Sequence, residues 1–119
     1  MKKKTAVIFG ISGQDGAYLA HLLLQKKYNI IGFTRNISKK NLFKLNRLKI
    51  INKIKIIKGT ALDQKILNNL IKNNSNIKEI YYLAGGSSVL RSFENPDFSL
   101  KSNTVGILNI LMTVKKYNN

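Results

Sequence analysis

The stretch GISGQDG contains three evenly spaced glycines, Gly10, Gly13 and Gly16. The stretch follows the apolar run Thr5–Phe9 and leads into a segment whose apolar residues recur at helical spacing. A strand that ends in glycines and opens a helix presents backbone N–H groups at the positive end of that helix, which is an arrangement that binds pyrophosphate. We expect Gly10 to permit a tight turn, Gly13 to let phosphate approach the backbone, and Gly16 to let the helix pack closely.

The elements that must position this loop follow an α/β pattern. Four apolar runs predict strands that are covered on both faces, as in a parallel sheet, at Thr5–Phe9, Ile30–Thr34, Ile54–Lys58 and Glu79–Ala84. Helical spacing predicts helices at Asp15–Lys27, at Leu62–Asn74 with Asp63 as its N-cap, and from about Asp97 to Tyr117. The apolar residues within 38–52 indicate a short helix or a packed loop. Strands that alternate with helices indicate an open α/β sheet, with no second domain.

Composition excludes several classes of site. The 119 residues include no cysteine and one histidine, so we expect no disulfide, no thiolate metal site and no histidine-based metal centre. No apolar stretch approaches the roughly 20 residues of a membrane span. The N-terminus lacks the apolar segment and cleavage site of a signal peptide, so we expect a cytoplasmic protein.

The formal net charge of +16 raises the question of nucleic-acid binding. Its lysines are scattered in ones and twos apart from the run at Lys2–Lys4, and arginine occurs only three times. Lysine, asparagine and isoleucine all have AT-rich codons, so genome composition accounts for the bias. We therefore expect no specific nucleic-acid partner, but a loose and salt-sensitive association with polyanions.

The glycine spacing resembles that of the extended short-chain dehydrogenase/reductases. The segment GISGQDGAYLAHLLLQKKYNIIGFTR is similar to the opening of the GDP-mannose 4,6-dehydratase family. Asp15 makes the resemblance specific, because a carboxylate is unusual in a phosphate loop. YYLAGGSSVLRSFENP and NTVGILNIL resemble the segment around the family's fourth strand and the helix that follows. The resemblance spans nearly the whole chain but only about the first third of a family member.

This resemblance implies a partial Rossmann-like, doubly wound parallel sheet of about four strands in the order 3-2-1-4. It implies NADP as cofactor, with NAD as the alternative, because Arg35 stands where an acidic residue would hold the ribose hydroxyls of NAD. Where this chain has Arg35 and Asn36, the family has a basic pair. Where this chain has Thr60 and Ala61, the family has an aspartate and a leucine, which hold the adenine. The implied cofactor residues are Gly10, Ile11, Ser12, Gly13, Gln14, Asp15, Gly16, Arg35, Asn36, Thr60, Ala61, Leu83, Ala84, Gly85, Gly86 and Ser87.

The resemblance also implies a reaction in which GDP-mannose becomes GDP-4-keto-6-deoxymannose by internal hydride transfer and loss of water. That chemistry needs a tyrosine with a lysine four residues later, and no tyrosine of this sequence has one. We expect residues 1–119 to be the N-terminal part of an NAD(P)-binding domain without its substrate domain, inactive alone and unable to bind GDP-mannose fully. The chain could be the product of a truncated gene, one part of a split gene, or a partial sequence. Members of the family form homo-oligomers, but the resemblance does not determine the oligomeric state of this chain.

Three other interpretations remain open. The chain could be the same part of a nucleotide-sugar epimerase or reductase, a non-enzymatic dinucleotide-binding module, or a basic nucleic-acid binder. Gln14 and Asp15 favour the dehydratase over the epimerase. If the fourth strand is an exposed edge and the last helix exposes Leu108 and Leu111, self-association should rise with salt.

Overall fold

The computed structural model describes residues 3–74, 76–83 and 105–117. The chain divides into two compact units. The first comprises residues up to 59 together with 76–83, and the second comprises residues 60–74 together with 105–117 of the described chain. All four described strands belong to the first unit.

The first unit is built on a four-stranded parallel sheet in the order β3-β2-β1-β4, which confirms the expected fold class and strand order. The strands are β1 (Thr5–Phe9), β2 (Asn29–Thr34), β3 (Lys55–Lys58) and β4 (Ile77–Tyr82). Phe9 at the end of β1 pairs with Phe33 on one side and with Tyr82 on the other.

The central strands are the most apolar because both of their faces are covered. Every residue of β1 is buried, and only Asn29 of β2 is exposed. The outer strand β4 begins at Ile77, earlier than its apolar run predicts. It accommodates Glu79 because the hydroxyls of Tyr28 and Tyr81 donate hydrogen bonds to that carboxylate. The strand ends at Tyr82, before the predicted end, since Leu83 lies outside it; Ala84 lies outside the described residues.

Helices α1 (Gln14–Gln25) and α2 (Phe43–Arg47) complete the first unit, with a short 3-10 helix at Ile51–Lys53. Helix α1 buries one stripe of small and aliphatic side chains, and Leu45 of α2 is fully buried in the same core. This core cluster contains Ala6, Ile8, Ile11, Ala17, Ala20, Leu23, Ile30, Leu42, Leu45, Ile50 and Ile54. It holds the beginning of α1 against the carboxyl end of β1.

The second unit contains helices α3 (Gln64–Asn73) and α4 (Gly106–Tyr117). Asp63 is the predicted N-cap of α3, since its carboxylate accepts from the backbone N–H groups of Lys65 at 3.0 Å and Ile66 at 3.3 Å. The side chain of Gln64 donates to Thr113 of α4 at 2.6 Å. None of the described helices is both long enough and apolar enough to cross a membrane.

Candidate functional site

The glycine-rich stretch lies where the strand order reverses. From β1 the chain adds β2 and β3 on one side of the sheet, and then returns to place β4 on the other side of β1. In open α/β sheets, ligands bind beyond the carboxyl ends of the strands at such a switch point. Gly10–Gly16, directly after β1, is the segment at this position.

Backbone hydrogen bonds hold the first part of this loop against β2. Gly10 has φ of 95°, a conformation that glycine adopts without steric cost. The N–H groups of Gly10 and Ile11 both donate to the carbonyl of Phe33, at 2.9 and 3.2 Å. The side chain of Ile11 is fully buried in the core cluster. Ile11 thus anchors the loop both through its buried side chain and through its backbone N–H.

Glycine is required by packing at two positions around the loop. A Cβ at Gly16 would lie 2.2 Å from the carbonyl oxygen of Gly10, and a Cβ at Gly32 would lie 2.5 Å from Cγ1 of Ile11. Gly13 is different, because the nearest atom to a Cβ there is the Gly10 oxygen at 3.6 Å, an ordinary contact. Gly13 also has negative φ, at −77°. The fold of the described residues therefore needs no glycine at Gly13.

The N-terminus of α1 offers donors to an anion. The first N–H groups of a helix have no intrahelical acceptor, and the summed peptide dipoles place partial positive charge there. Gly13 is the N-cap, and within the described part of the chain no side chain caps this turn. Gln14 and Asp15 are exposed in the first turn, where the carboxylate of Asp15 interacts favourably with the helix dipole.

A polar network joins this loop to the segment after β2. The buried hydroxyl of Thr34 lies 3.0 Å from the hydroxyl of Ser12 and accepts from the side-chain amide of Asn41 at 3.2 Å. The amide of Asn41 also donates to the carbonyl of Asn36. The side chain of Asn36 in turn accepts from the N–H of Ser38 at 2.9 Å, which closes a local turn. These contacts fix the backbone on both sides of Arg35.

Arg35 is exposed at the carboxyl end of β2, one residue beyond the buried Thr34. Burial raises the pKa of the nearby Tyr82 phenol, and the positive charge of Arg35 opposes that rise. Tyr82 lies beside Phe9, whose ring stacks on Phe33 at a centroid distance of 4.7 Å. These aromatic side chains come from the last or next-to-last residues of three adjacent strands and stiffen the edge from which the loop and Arg35 emerge.

The remaining predicted site residues fall in three places. Leu83 follows β4 and donates from its N–H to the carbonyl of Phe9 at 2.8 Å, beside the loop. Thr60 and Ala61 belong to the second unit; the hydroxyl of Thr60 accepts from the N–H of Leu62, and the carbonyl of buried Ala61 accepts from Asn109. Ala84, Gly85, Gly86 and Ser87 lie outside the described residues.

Three residues that support the site were not predicted from the sequence: Gly32, Thr34 and Asn41. A glycine inside a strand signals the close approach of another chain segment, so Gly32 could have been identified from its position in the run IIGFT. Thr34 and Asn41 carry no such signal. Thr34 contacts Ser12, which is 22 residues away in the sequence, and Asn41 joins the network through Thr34.

Comparison with known proteins places these features in a family. A family profile described as GDP-mannose 4,6 dehydratase matches residues 7–119. The chain is 35% identical over 125 residues to GDP-mannose 4,6 dehydratase 1 of Arabidopsis thaliana, covering 98% of this chain and 34% of that protein. It is also 35% identical over 119 residues to the human GDP-mannose 4,6 dehydratase, covering 95% of this chain and 32% of that protein. The chain thus spans about a third of the length of these curated relatives.

Solved structures give the same fold. The UDP-glucose 4-epimerase of Bifidobacterium longum, crystallised in complex with NAD+ and UDP, superposes with a TM-score of 0.81 and 26% identity. The match covers 97% of this chain and 34% of the epimerase.

Proposed function

The chain belongs to the GDP-mannose 4,6-dehydratase family, and from this we propose that residues 1–119 form the N-terminal, cofactor-binding part of such an enzyme. The observation that carries the proposal is the geometry at Gly13. Glycine there serves no packing need of the described fold, yet it lies at the uncapped N-terminus of α1. A diphosphate that contacts the backbone would explain why glycine is present at this position.

The residues around the loop fit the pyrophosphate of a nicotinamide dinucleotide. The N–H groups of Gly10, Ile11 and Gly13 donate within the protein, so the donors for phosphate are those of Ser12 and of the first turn of α1, at the positive end of its dipole. Ser12 adds a hydroxyl that is oriented by Thr34. The NAD+ of the Bifidobacterium longum epimerase supports a nicotinamide dinucleotide as the cofactor class. We assign Leu83, Ala84, Gly85, Gly86 and Ser87 to the path of the cofactor beyond β4.

Arg35 favours NADP over NAD. A guanidinium at the end of β2 pairs with a ribose 2′-phosphate through charge-assisted hydrogen bonds, whereas a ribose hydroxyl gains less from it. The turn closed by Asn36 and Ser38 presents the Arg35 backbone in a fixed position. Thr60 and Ala61 remain our candidates for the adenine contact.

The chain's contribution to the reaction is to bind and orient the cofactor. A nicotinamide dinucleotide held by the loop after β1 and by Arg35 would supply reversible hydride transfer. None of the tyrosines in the 119 residues has a lysine four positions later, so the pair that would lower a phenol's pKa for proton abstraction is missing from this sequence. We therefore propose that this chain binds dinucleotide without converting GDP-mannose.

Replacing Gly13 with valine tests the proposed binding site. The branched side chain would occupy the space through which phosphate approaches the backbone, while its Cβ would make only an ordinary contact, at 3.6 Å from the carbonyl oxygen of Gly10. We expect the affinity for both NADP and NAD to fall below detection in titration calorimetry, with an unchanged circular-dichroism spectrum.

Gln25→Val, at the exposed opposite end of α1, is the matched control and should bind as the original chain does. Unchanged NADP binding by Gly13→Val would mean that the loop is only a structural turn. Formation of a 4-keto sugar nucleotide from GDP-mannose and NADP by the 119-residue chain would overturn the proposed lack of turnover.

Replacing Arg35 with alanine tests the cofactor preference. We expect NADP to bind more tightly than NAD before the change, and the variant to lose most of that difference, about 1–3 kcal/mol for a charge-assisted contact. NAD affinity serves as the internal control and should change little. Equal affinities for NADP and NAD in the original chain would contradict the assignment.

A further inference from the structure

A second cleft lies at the opposite end of the sheet, beyond the amino ends of the strands. It has a volume of about 490 Å³ and is formed entirely by residues of the first unit. Lys3 and Lys53 line it just before β1 and β3, and Asn29 lines it at the start of β2. Leu24 and Ile50 contribute apolar side chains. The proposed cofactor site makes no use of this cleft.

The cleft is strongly basic. Four lysines line it, Lys3, Lys27, Lys49 and Lys53, together with His21 and the phenol of Tyr28. No aspartate or glutamate is among its lining residues, all of which belong to the described chain. Four ammonium groups around one concave surface create a region of positive potential that concentrates anions.

The carboxylate of Glu79 is bonded to Tyr28, which lines the cleft, and it keeps its negative charge. It accepts hydrogen bonds from Tyr28 and Tyr81, and these bonds hold its pKa below the usual value. The charges of Lys4 and Lys26, which do not line the cleft, lower the pKa of Glu79 further. Glu79 therefore stays ionised next to a residue that lines the cleft, and its negative charge offsets about one of the four positive charges.

Two of these lysines stand at backbone positions where glycine or asparagine is usual. Lys27 and Lys49 have φ of 65° and 59°, and they are the two residues other than glycine with positive φ in the described chain. Each follows a helix in a Schellman motif: the N–H of Tyr28 donates to Leu23, and the N–H of Ile50 donates to Leu45. Lysine gains nothing sterically from this conformation, so beyond the general lysine bias of the sequence any explanation for the side chain lies in its charge.

The helix ends supply part of that explanation. Lysine near a helix C-terminus interacts favourably with the partial negative charge there, which amounts to at most about half an elementary charge for each helix. Helices α1 and α2 together can therefore offset about one of the four positive charges. Together with the charge of Glu79, this leaves a surplus of about two positive charges at the cleft.

We propose that this cleft binds the triphosphate chain of a small anion, such as inorganic tripolyphosphate or a nucleoside triphosphate. The compact ammonium groups of Lys3, Lys27, Lys49 and Lys53 would each contact phosphate oxygens, and lysine acts as a point charge that imposes no fixed geometry. The cleft's volume suits a molecule of this size.

This site is independent of the dinucleotide site. The two lie at opposite ends of β1, and a five-residue strand spans about 17 Å at roughly 3.3 Å per residue. A change in one should leave binding at the other unaltered, so the failure of one proposal can be distinguished from the failure of the other.

The test uses the double variant Lys27→Gly/Lys49→Gly. Glycine suits positive φ, so this variant removes two ammonium groups while preserving both helix caps. The control Lys65→Ala/Lys72→Ala removes the same charge from exposed positions on α3. Titration calorimetry with inorganic tripolyphosphate at about 0.15 M salt, where surface charges are screened over about 8 Å, measures the affinity of each.

We expect the original chain to bind tripolyphosphate, the cleft variant to bind at least about tenfold more weakly, and the control to stay within about twofold. Both variants should keep the original affinity for NADP. Absence of tripolyphosphate binding by the original chain, or an equal loss in both variants, would overturn the proposal. Binding of single-stranded DNA but not of tripolyphosphate would also overturn it and assign the cleft to a polymer.

Discussion

Gly13 and Gly16 are three residues apart, and the structure requires glycine at only one of them. At Gly16 the constraint comes from the Gly10 carbonyl, 2.2 Å from where a Cβ would lie, so helix α1 can begin so close to β1 only without a side chain there. At Gly13 the same atom is 3.6 Å away. One glycine therefore serves the fold, and the other is available to serve a ligand.

Adding one methyl group at each position should separate these roles. Inside a helix, replacing glycine with alanine normally gains about 0.5–1 kcal/mol. For Gly16→Ala we expect the opposite sign, a loss of about 1–3 kcal/mol in the free energy of unfolding, because the clash is with backbone that must shift. Urea unfolding followed by circular dichroism measures the change.

Gly13→Ala is the matched control, and we expect it to cost at most about 1 kcal/mol, because alanine is a poorer N-cap than glycine but meets no clash here. A Gly16→Ala chain as stable as the original would mean that α1 can move away from the turn without cost.

Among the elements, β4 is the strand held most clearly by polar contacts. The carboxylate of Glu79 joins Tyr81 of the same strand to Tyr28, which lies between α1 and β2. Hydrogen bonds from Tyr28 and then Tyr81 lower the pKa of Glu79, although partial burial opposes them. The same bonds raise the pKa of both phenols. The network is complete only while Glu79 is ionised and both tyrosines are protonated.

This network predicts how stability depends on pH. Because the pKa of Glu79 is lowered in the folded chain, its contribution is present above its ordinary value of 4.5 and is lost as the pH falls through the folded value. We expect the thermal midpoint of the original chain to fall below that pH more steeply than that of Glu79→Gln. Thermal unfolding followed by circular dichroism between about pH 3 and 7 makes the comparison.

At low pH the two chains should converge, since the side chain at position 79 is then neutral in both. Parallel curves across the whole range would show that the ionised carboxylate contributes nothing to stability.

The strands and helices could be predicted because burial leaves its pattern in neighbouring residues. β1 and β2 are apolar throughout since both faces are covered, and Asp63 is a recognisable helix cap. The network around Thr34 could not be predicted in this way. Threonine at a strand end has many uses, and its contacts with Ser12 and Asn41 arise only once the sheet has brought distant segments together.

For the molecule as a whole, net charge and exposed apolar surface act in opposite directions. The formal net charge of +16 keeps copies apart at low salt. Helix α4 nevertheless exposes 52% of Leu108, 59% of Leu111 and 69% of Met112. Neighbouring apolar side chains of this kind favour association once repulsion is screened.

We expect self-association of the 119-residue chain to increase as salt is raised from about 10 mM to 150 mM, because the screening length falls from about 30 to 8 Å. The variant Leu108→Gln/Leu111→Gln should reduce the increase. Analytical ultracentrifugation at both salt concentrations provides the measurement. The control Phe43→Gln, which removes one exposed ring from α2, should leave the increase of self-association with salt unchanged. A monomer at both concentrations would contradict the argument.

The position of β1 in the middle of the sheet has a consequence for biosynthesis. Its first partner, β2, leaves the ribosome soon after it, but its second partner lies far along the chain, since Thr5 pairs with Ile77. At translation rates of about 5–20 residues per second, one edge of the most apolar strand waits roughly 4–14 seconds for β4. Over that interval the nascent chain exposes an unpaired strand edge to its neighbours. We therefore expect the speed of translation between β3 and β4 to affect the yield of folded protein.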